Sequence, residues 1–156
     1  MDRVNIRPAT LEDLDTLLAF EQAIIEVERP WDATIRSGPD VHYYNLAELI
    51  SSPTAEVIVA EIDSLIIASG YGRIEQSDPY LKHKEHTYLG FMYVVPEHRG
   101  KGINKLVVDA IEAWSRARGV LEMRLEVYDE NHGAIKAYKK TGYEPLVLLM
   151  RKNLDS

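Results

Sequence analysis

The 156-residue chain has no cysteine, which excludes disulfide staples, thiol nucleophiles and cysteine-ligated zinc. It is also short of positive charge, with 18 Lys and Arg against 25 Asp and Glu and a formal net charge of -7. Lys and Arg supply most of the affinity for a phosphate backbone, so this balance speaks against nucleic acid and suits a cationic substrate. No apolar run exceeds five residues, as at 146–150, whereas a membrane span needs about 20. Residues 1–5 lead into no apolar stretch of the signal-peptide kind. The expectation is a cytoplasmic chain with no membrane partner. What is present is globular: 46% hydrophobic and 28% charged residues. A chain of this length buries about two-thirds of its unfolded surface and needs no metal staple. One domain spanning 1–156 is expected.

Period and punctuation give the element order. Residues 4–7 alternate as a short strand, which Pro8 should end. Thr10 and Asp13 stand as a capping box ahead of Leu11, Leu14, Leu17 and Leu18, predicting a helix that runs to about residue 25. Residues 27–53 are irregular, with a short helix expected over 44–50. Strands follow at 56–62 and 65–74 around Asp63-Ser64, then at 87–95. Ile103, Leu106, Val107, Ala110, Ile111 and Trp114 fall at helical spacing, closed by Gly119. A strand over 121–127, a helix over 132–141 stopped by Gly142, and one or two strands within 143–150 complete the order. The fold class is mixed α/β (α+β), with a central, mostly antiparallel sheet flanked by helices.

The stretch Tyr93-Val94-Val95-Pro96-Glu97-His98-Arg99-Gly100-Lys101-Gly102-Ile103-Asn104 passes from a strand through a basic, glycine-rich turn into a helix start. The first N–H groups of a helix have no intrahelical partner, and the helix dipole favours negative charge there. Gly100 and Gly102 admit a ligand close to the backbone, and Arg99 and Lys101 add positive charge. The plain alternative is a tight turn whose glycines serve geometry only. There is no Gly-x-x-x-x-Gly-Lys-Ser/Thr loop for a nucleoside triphosphate, and Gly100-Lys101-Gly102 lacks the third glycine of a dinucleotide fold. A phosphate-bearing ligand other than a nicotinamide is favoured.

The loop at Arg99 resembles the Arg/Gln-x-x-Gly-x-Gly/Ala signature of GCN5-related N-acetyltransferases. About thirty residues on, Asn131, Ala134, Tyr138, Gly142 and Tyr143 are similar to that family's Asn-x-x-Ala-x-x-x-Tyr-x-x-x-Gly-Phe/Tyr segment, with a helix and a strand between the two motifs. Asn104 departs from the pattern. It stands where the family usually has glycine or alanine, and its amide is a possible donor to a phosphate oxygen.

The resemblance implies transfer of an acetyl group from acetyl-CoA, a cosubstrate, to a primary amine of a small molecule or peptide, without a metal. It implies that the pyrophosphate lies on the N–H groups of Arg99, Gly100, Lys101, Gly102, Ile103 and Asn104, and that the pantetheine arm pairs along Tyr93, Val94 and Val95. A backbone N–H near Val94 would stabilise the oxyanion. Tyr138 takes the place of the general acid for the departing thiolate, and a phenol of reference pKa near 10 stays protonated at neutral pH. By helical spacing alone, Tyr138 reads as an aromatic packed on the sheet, and the motif register reverses that reading. Asn131 orients the helix start or bonds the pantetheine, and Ala134 completes that motif.

Many family members carry a glutamate base on the loop-bearing strand, but the equivalent here is Leu89. Glu126, twelve residues before Tyr138, is the candidate instead, and Leu125 and Val127 should face the other way. Its alternatives are a solvated or Arg124-paired carboxylate, or a proton relay through water. Trp31, His42, Tyr43 and Tyr44 are expected to wall an acceptor pocket, and His83 and His86 to be plain polar residues. The family is often dimeric, so a homodimer is expected. The contrasting expectation is a CoA-binding sensor or interaction module that keeps the fold without turnover.

Overall fold

The structure is a computed structural model that describes residues 3–155. It divides into two compact units, one ending at Glu126 and the other beginning at Val127.

The first unit is built on a five-stranded sheet in sequential order. β1 (Asn5–Pro8), β2 (Ala55–Ile62), β3 (Leu65–Gln76) and β4 (Glu85–Val94) pair antiparallel, and β5 (Met123–Arg124) runs parallel to β4. The mixed, mostly antiparallel sheet is therefore as the sequence predicts. Pro8 lies within β1, opposite Ile58, where it was expected to end the strand. β1 is an edge strand, and an edge tolerates the missing donor. Asp63 and Ser64, with φ of 51° and 67°, make the two-residue turn whose twist matches the strands it joins.

α1 (Leu14–Glu28) follows a single 3-10 turn over Leu11–Asp13. The Asp13 carboxylate accepts from the Thr10 N–H at 2.8 Å and from both Arg7 terminal nitrogens at 2.9 and 3.0 Å. The Arg7 hydrogen bonds hold its carboxyl below the usual carboxylate range. From α1 and α2 (Leu46–Ser51), Leu17, Phe20, Leu46 and Leu49 pack with Val57, Val59, Tyr71 and Phe91 into one core. α3 (Ile103–Ala117) covers the opposite face. There a Cβ on Gly70 would come within 2.9 Å of Val107, and one on Gly72 within 2.7 Å of Ile111. Alternate residues of β3 thus serve two different layers, with glycines admitting α3 and Tyr71 facing α1 and α2.

In the second unit, α4 (His132–Lys140) is N-capped by Asn131, whose Oδ1 accepts from the Ala134 N–H at 3.3 Å. Gly142 follows its end at φ 98°. Two expectations fail. The strand over 121–127 is reduced to Met123–Arg124, and residues 143–150 form no strand. Apolar alternation supplies one face of a strand, but a strand also needs a backbone partner. Among the described residues, none pairs with the outer edge of β5 or with 146–150.

Candidate active site

The candidate ligand-binding features of the first unit gather where β4 meets α3. β4 carries one residue more than β3 between two pairs: Ser69 lies opposite Tyr93, and Tyr71 opposite Gly90. The extra residue makes a β-bulge, and within it Phe91 has φ 57°, a left-handed conformation that a bulky side chain rarely adopts. Such strain persists only where the surroundings over-determine it, and it concentrates at functional sites. Phe91 is held by its buried ring and by fully buried Ser69, whose hydroxyl donates to the Phe91 carbonyl at 3.0 Å. Sequence reasoning missed this bulge, since nothing in Gly90-Phe91-Met92 signals it.

β5 pairs with β4 only at Thr87 and Tyr88. Among the described residues, no strand takes the β5-side edge of β4 from Leu89 to its end. Tyr93 and Val94 lie on this stretch, with Val95 just beyond it. On the other edge, Val94 pairs with Ala68 and the Val95 N–H donates to the Ile67 carbonyl at 2.9 Å.

The loop then turns through a 3-10 segment, Pro96–His98, into α3. Gly100 and Gly102 have φ of 76° and 78°, and an added Cβ at either would meet nothing within 4 Å. They are needed for backbone conformation and leave the space beside the loop clear. Gly102 is the N-cap of α3, with no side chain capping the helix. The first intrahelical bond runs from the Leu106 N–H to the Gly102 carbonyl. The N–H groups of Ile103, Asn104 and Lys105 therefore open outward at the positive end of the helix dipole. The Ile103 side chain is buried, so only its backbone faces this site, whereas Lys101 is exposed and Asn104 half-buried. The Arg99 side chain bends back. Its Nε donates to the Val94 carbonyl at 2.8 Å and its guanidinium lies 5.5 Å from the Tyr93 ring centroid. It braces the strand end against the loop.

Next to this, one sheet face carries Tyr71, Arg73 and Glu75 from β3 beside His86 and Tyr88 from β4. Arg73 lies over both tyrosine rings, at 5.7 and 5.9 Å, and its Nε donates to Glu75 at 2.9 Å. Burial pushes the Tyr88 phenol up, and the negative charge of exposed Glu126 pushes it further. Tyr71 is raised by burial and feels the same charge. Glu126 thus acts on this tyrosine face, while Leu89 is buried and offers no acid. Arg124 pairs with Glu122 at 3.2 Å, not with Glu126 as the plain reading allowed.

The segment expected to wall an acceptor pocket is fixed by Glu21. That carboxylate, fully buried in α1, accepts from the N–H groups of Tyr43 and Tyr44 at 2.9 and 2.8 Å and meets His42 Nδ1 at 2.7 Å. Tyr44 stands edge-on to Tyr71 and Phe91. Glu28, half-buried near Tyr43, is raised by burial. His86 contacts Ser77 and Glu75. Among the described residues no group of three or more His, Asp or Glu is arranged to hold a metal, and no helix is long and apolar enough to cross a membrane.

In the second unit, Tyr138 is half-buried with its ring edge-on to Tyr143, centroids 5.6 Å apart. Burial pushes its phenol up to about 12, so it remains a proton donor well above neutral pH. Asn131 is engaged as the cap of α4.

An open strand edge leading into an uncapped helix start accommodates a long polar arm that ends in a phosphate anion. A coenzyme A thioester presents an arm of this kind. The acetyltransferase (GNAT) family model matches residues 22–143, and the chain belongs to this family. It is an acetyl-CoA-dependent N-acetyltransferase. It is 29% identical over 149 residues to the thialysine N-epsilon-acetyltransferase of Bos taurus, covering 92% of this chain and 85% of that one. A shorter curated match, 36% identical over 58 residues, spans only 24% of the relative's length. The fold is that of a tetramutant of the BH1408 protein from Bacillus halodurans, with TM-score 0.85, 24% identity and coverage of 96% and 99%. It is also that of a predicted acetyltransferase with acetyl-CoA from Clostridium acetobutylicum, with TM-score 0.73, 19% identity and coverage of 97% of both chains.

Proposed function

We propose that the enzyme acetylates a primary amine of a small cationic molecule or a peptide by direct attack on the thioester. The observation that carries the donor side is the uncapped α3 start at two left-handed glycines, continuous with the free edge of β4. In this reading the N–H groups of residues 99–104 bind the pyrophosphate, and the edge at Tyr93, Val94 and Val95 pairs with the pantetheine. A backbone N–H near Val94 polarises the carbonyl oxygen.

Glu126 takes the proton of the acceptor ammonium, directly or through water. The freed amine attacks the carbonyl carbon, the C–S bond breaks, and the Tyr138 phenol protonates the departing sulfur. The products are an amide and free CoA: the amide nitrogen gives up its second proton to water as Tyr138 regains one, and Glu126 releases the first to solvent, so one proton is freed per turnover. The tyrosine and acid face of β3 and β4, with the net charge of -7, supports a cationic acceptor. Asn131 and Ala134 act by fixing the start of α4, and residues 1–156 are one catalytic domain. We further propose that the protein is a cytoplasmic homodimer.

The test follows free thiol release from acetyl-CoA over a panel of amines, repeated with Glu126→Gln. Turnover by the variant should fall most at pH values where the acceptor is largely protonated, with acetyl-CoA affinity unchanged. An unaltered pH–rate profile would remove Glu126 from the mechanism.

A further inference from the structure

The tyrosine face of β3 and β4 carries an arginine that the chemistry of acetyl transfer leaves unused. Arg73 stands on the same side of β3 as Tyr71 and Glu75, opposite Tyr88, the last residue of β4 that pairs with β5. The free edge of β4 begins at the next residue, so Arg73 occupies the row where that edge opens. The strand from Tyr88 to Val94 spans roughly 20 Å. Arg73 is therefore remote from a phosphate held at the start of α3, and another anion must be its ligand.

The guanidinium is fixed in plane and direction. Glu75 Oε2 accepts from its Nε at 2.9 Å and from one terminal nitrogen, and Glu75 Oε1 faces His86 Nε2 at 3.4 Å. His86 Nδ1 in turn meets the Ser77 hydroxyl at 2.9 Å. The Tyr71 and Tyr88 ring centroids lie 5.7 and 5.9 Å from the guanidinium carbon. Among the described residues, no acceptor meets the other terminal nitrogen, and the side chain is 44% exposed. An ion pair this open adds little stability. A stacked, oriented guanidinium with free N–H groups is instead suited to a planar carboxylate. The charge of Glu126 reaches Tyr88 on the same face, so a cation and an acid flank the row where the edge opens.

We propose that Arg73, oriented by Glu75, binds a carboxylate of the acceptor, so that the substrate is a primary amine that also bears a free carboxylate. This inference rests on the acetyl-transfer reading above and names the class of acceptor. The amine turns toward Glu126 and the carboxylate toward Arg73. The same cation repels the second ammonium of a simple diamine, so the site selects by repulsion as well as by attraction.

The experiment compares lysine with lysinamide and ornithine with ornithinamide as acceptors, by thiol release from acetyl-CoA. Within each pair the carboxylate is the group that changes. Wild type should favour the carboxylate-bearing member by about tenfold or more in kcat/KM, through KM. Arg73→Gln should lower that ratio about tenfold, and its own ratio corrects for differences in amine reactivity. Arg73→Lys should keep part of the preference, since the charge persists without the fork. Acetyl-CoA affinity, read by calorimetry, should agree within about twofold among the three proteins, which a damaged fold would not allow. A preference that survives Arg73→Gln would overturn the proposal. If that variant does not fold, equal KM values for the two members of each pair in the wild type would overturn it. Absence of thiol release with every amine would overturn the acetyl-transfer reading. The pairs are then titrated against the CoA-loaded wild type, and equal affinity would overturn the carboxylate site as well.

Discussion

The two units of the chain differ in how their sequence becomes structure. Up to Glu126, the apolar positions of the inner strands and helices find partners: alternate residues of β3 face α3 on one side and the α1–α2 core on the other. Among the described residues from Val127 onward, the regular structure is one nine-residue helix, held by a cap at Asn131 and a stop at Gly142, followed by apolar residues in solvent. Periodicity is a sufficient guide where the partner layer lies nearby in the same compact unit. It predicts a strand but cannot supply the strand's neighbour, and that is the difference between Leu65–Gln76 and residues 146–150.

The largest expected effect would break this contrast, because it gives the sparse unit a chemical role. Tyr138→Phe keeps the ring against Tyr143 and removes only the donor. The loss of a general acid costs about a hundredfold to ten-thousandfold in kcat, with little change in KM for acetyl-CoA or in Tm. Because burial raises the phenol to about 12, the neutral donor persists across the alkaline range. The wild-type rate should therefore climb as the acceptor amine deprotonates, with no fall due to this residue below about pH 11. A wild-type rate in the variant, with chemistry rate-limiting, would reduce Tyr138 to a packing residue.

A smaller effect tests the dense unit. Glu21→Gln conserves the volume but replaces charge-assisted bonds to Tyr43, Tyr44 and His42 by neutral ones. The loss should be about 1–2 kcal/mol of global stability by denaturant titration, together with a raised KM for the acceptor. Unchanged stability would show that residues 41–45 are held by other contacts. The smallest sharpens the contrast. Asn131→Ala removes the α4 cap at a cost of about 1 kcal/mol, and the change should appear as faster amide exchange over 132–140 with no shift in the main unfolding transition. A cooperative loss of the whole fold would show that the two units unfold as one.

The order of elements and the anion loop were legible because each rests on local signals: alternation, helical spacing, and glycines at a strand-to-helix turn. Three features were not. Glu21 sits in a helix among ordinary surface acids, and its burial depends on N–H groups more than twenty residues away. The Phe91 bulge has no local signature, since its strain is balanced by Ser69 on the neighbouring strand. Glu126 was legible as a carboxylate in the segment after α3, but it lies just past the short β5, and the reach of its charge to Tyr88 and Tyr71 depends on where β5 sets the chain beside β4. The two motifs drew attention to Arg99 as a source of charge, and the structure gives it a brace to Val94 and Tyr93 instead. Side-chain direction is settled by tertiary contacts that a motif does not encode.

The central claim is that acetyl-CoA is held on the open start of α3 at Gly102. Calorimetric titration of acetyl-CoA into the wild type and into Gly102→Glu tests it most directly. An added side chain there points into open space and strains a left-handed residue, so the fold should survive while a carboxylate meets the pyrophosphate. The account predicts a loss of affinity of at least about a hundredfold, or about 2.8 kcal/mol, with Tm lowered by no more than a few degrees. Equal affinity in the two proteins would contradict it.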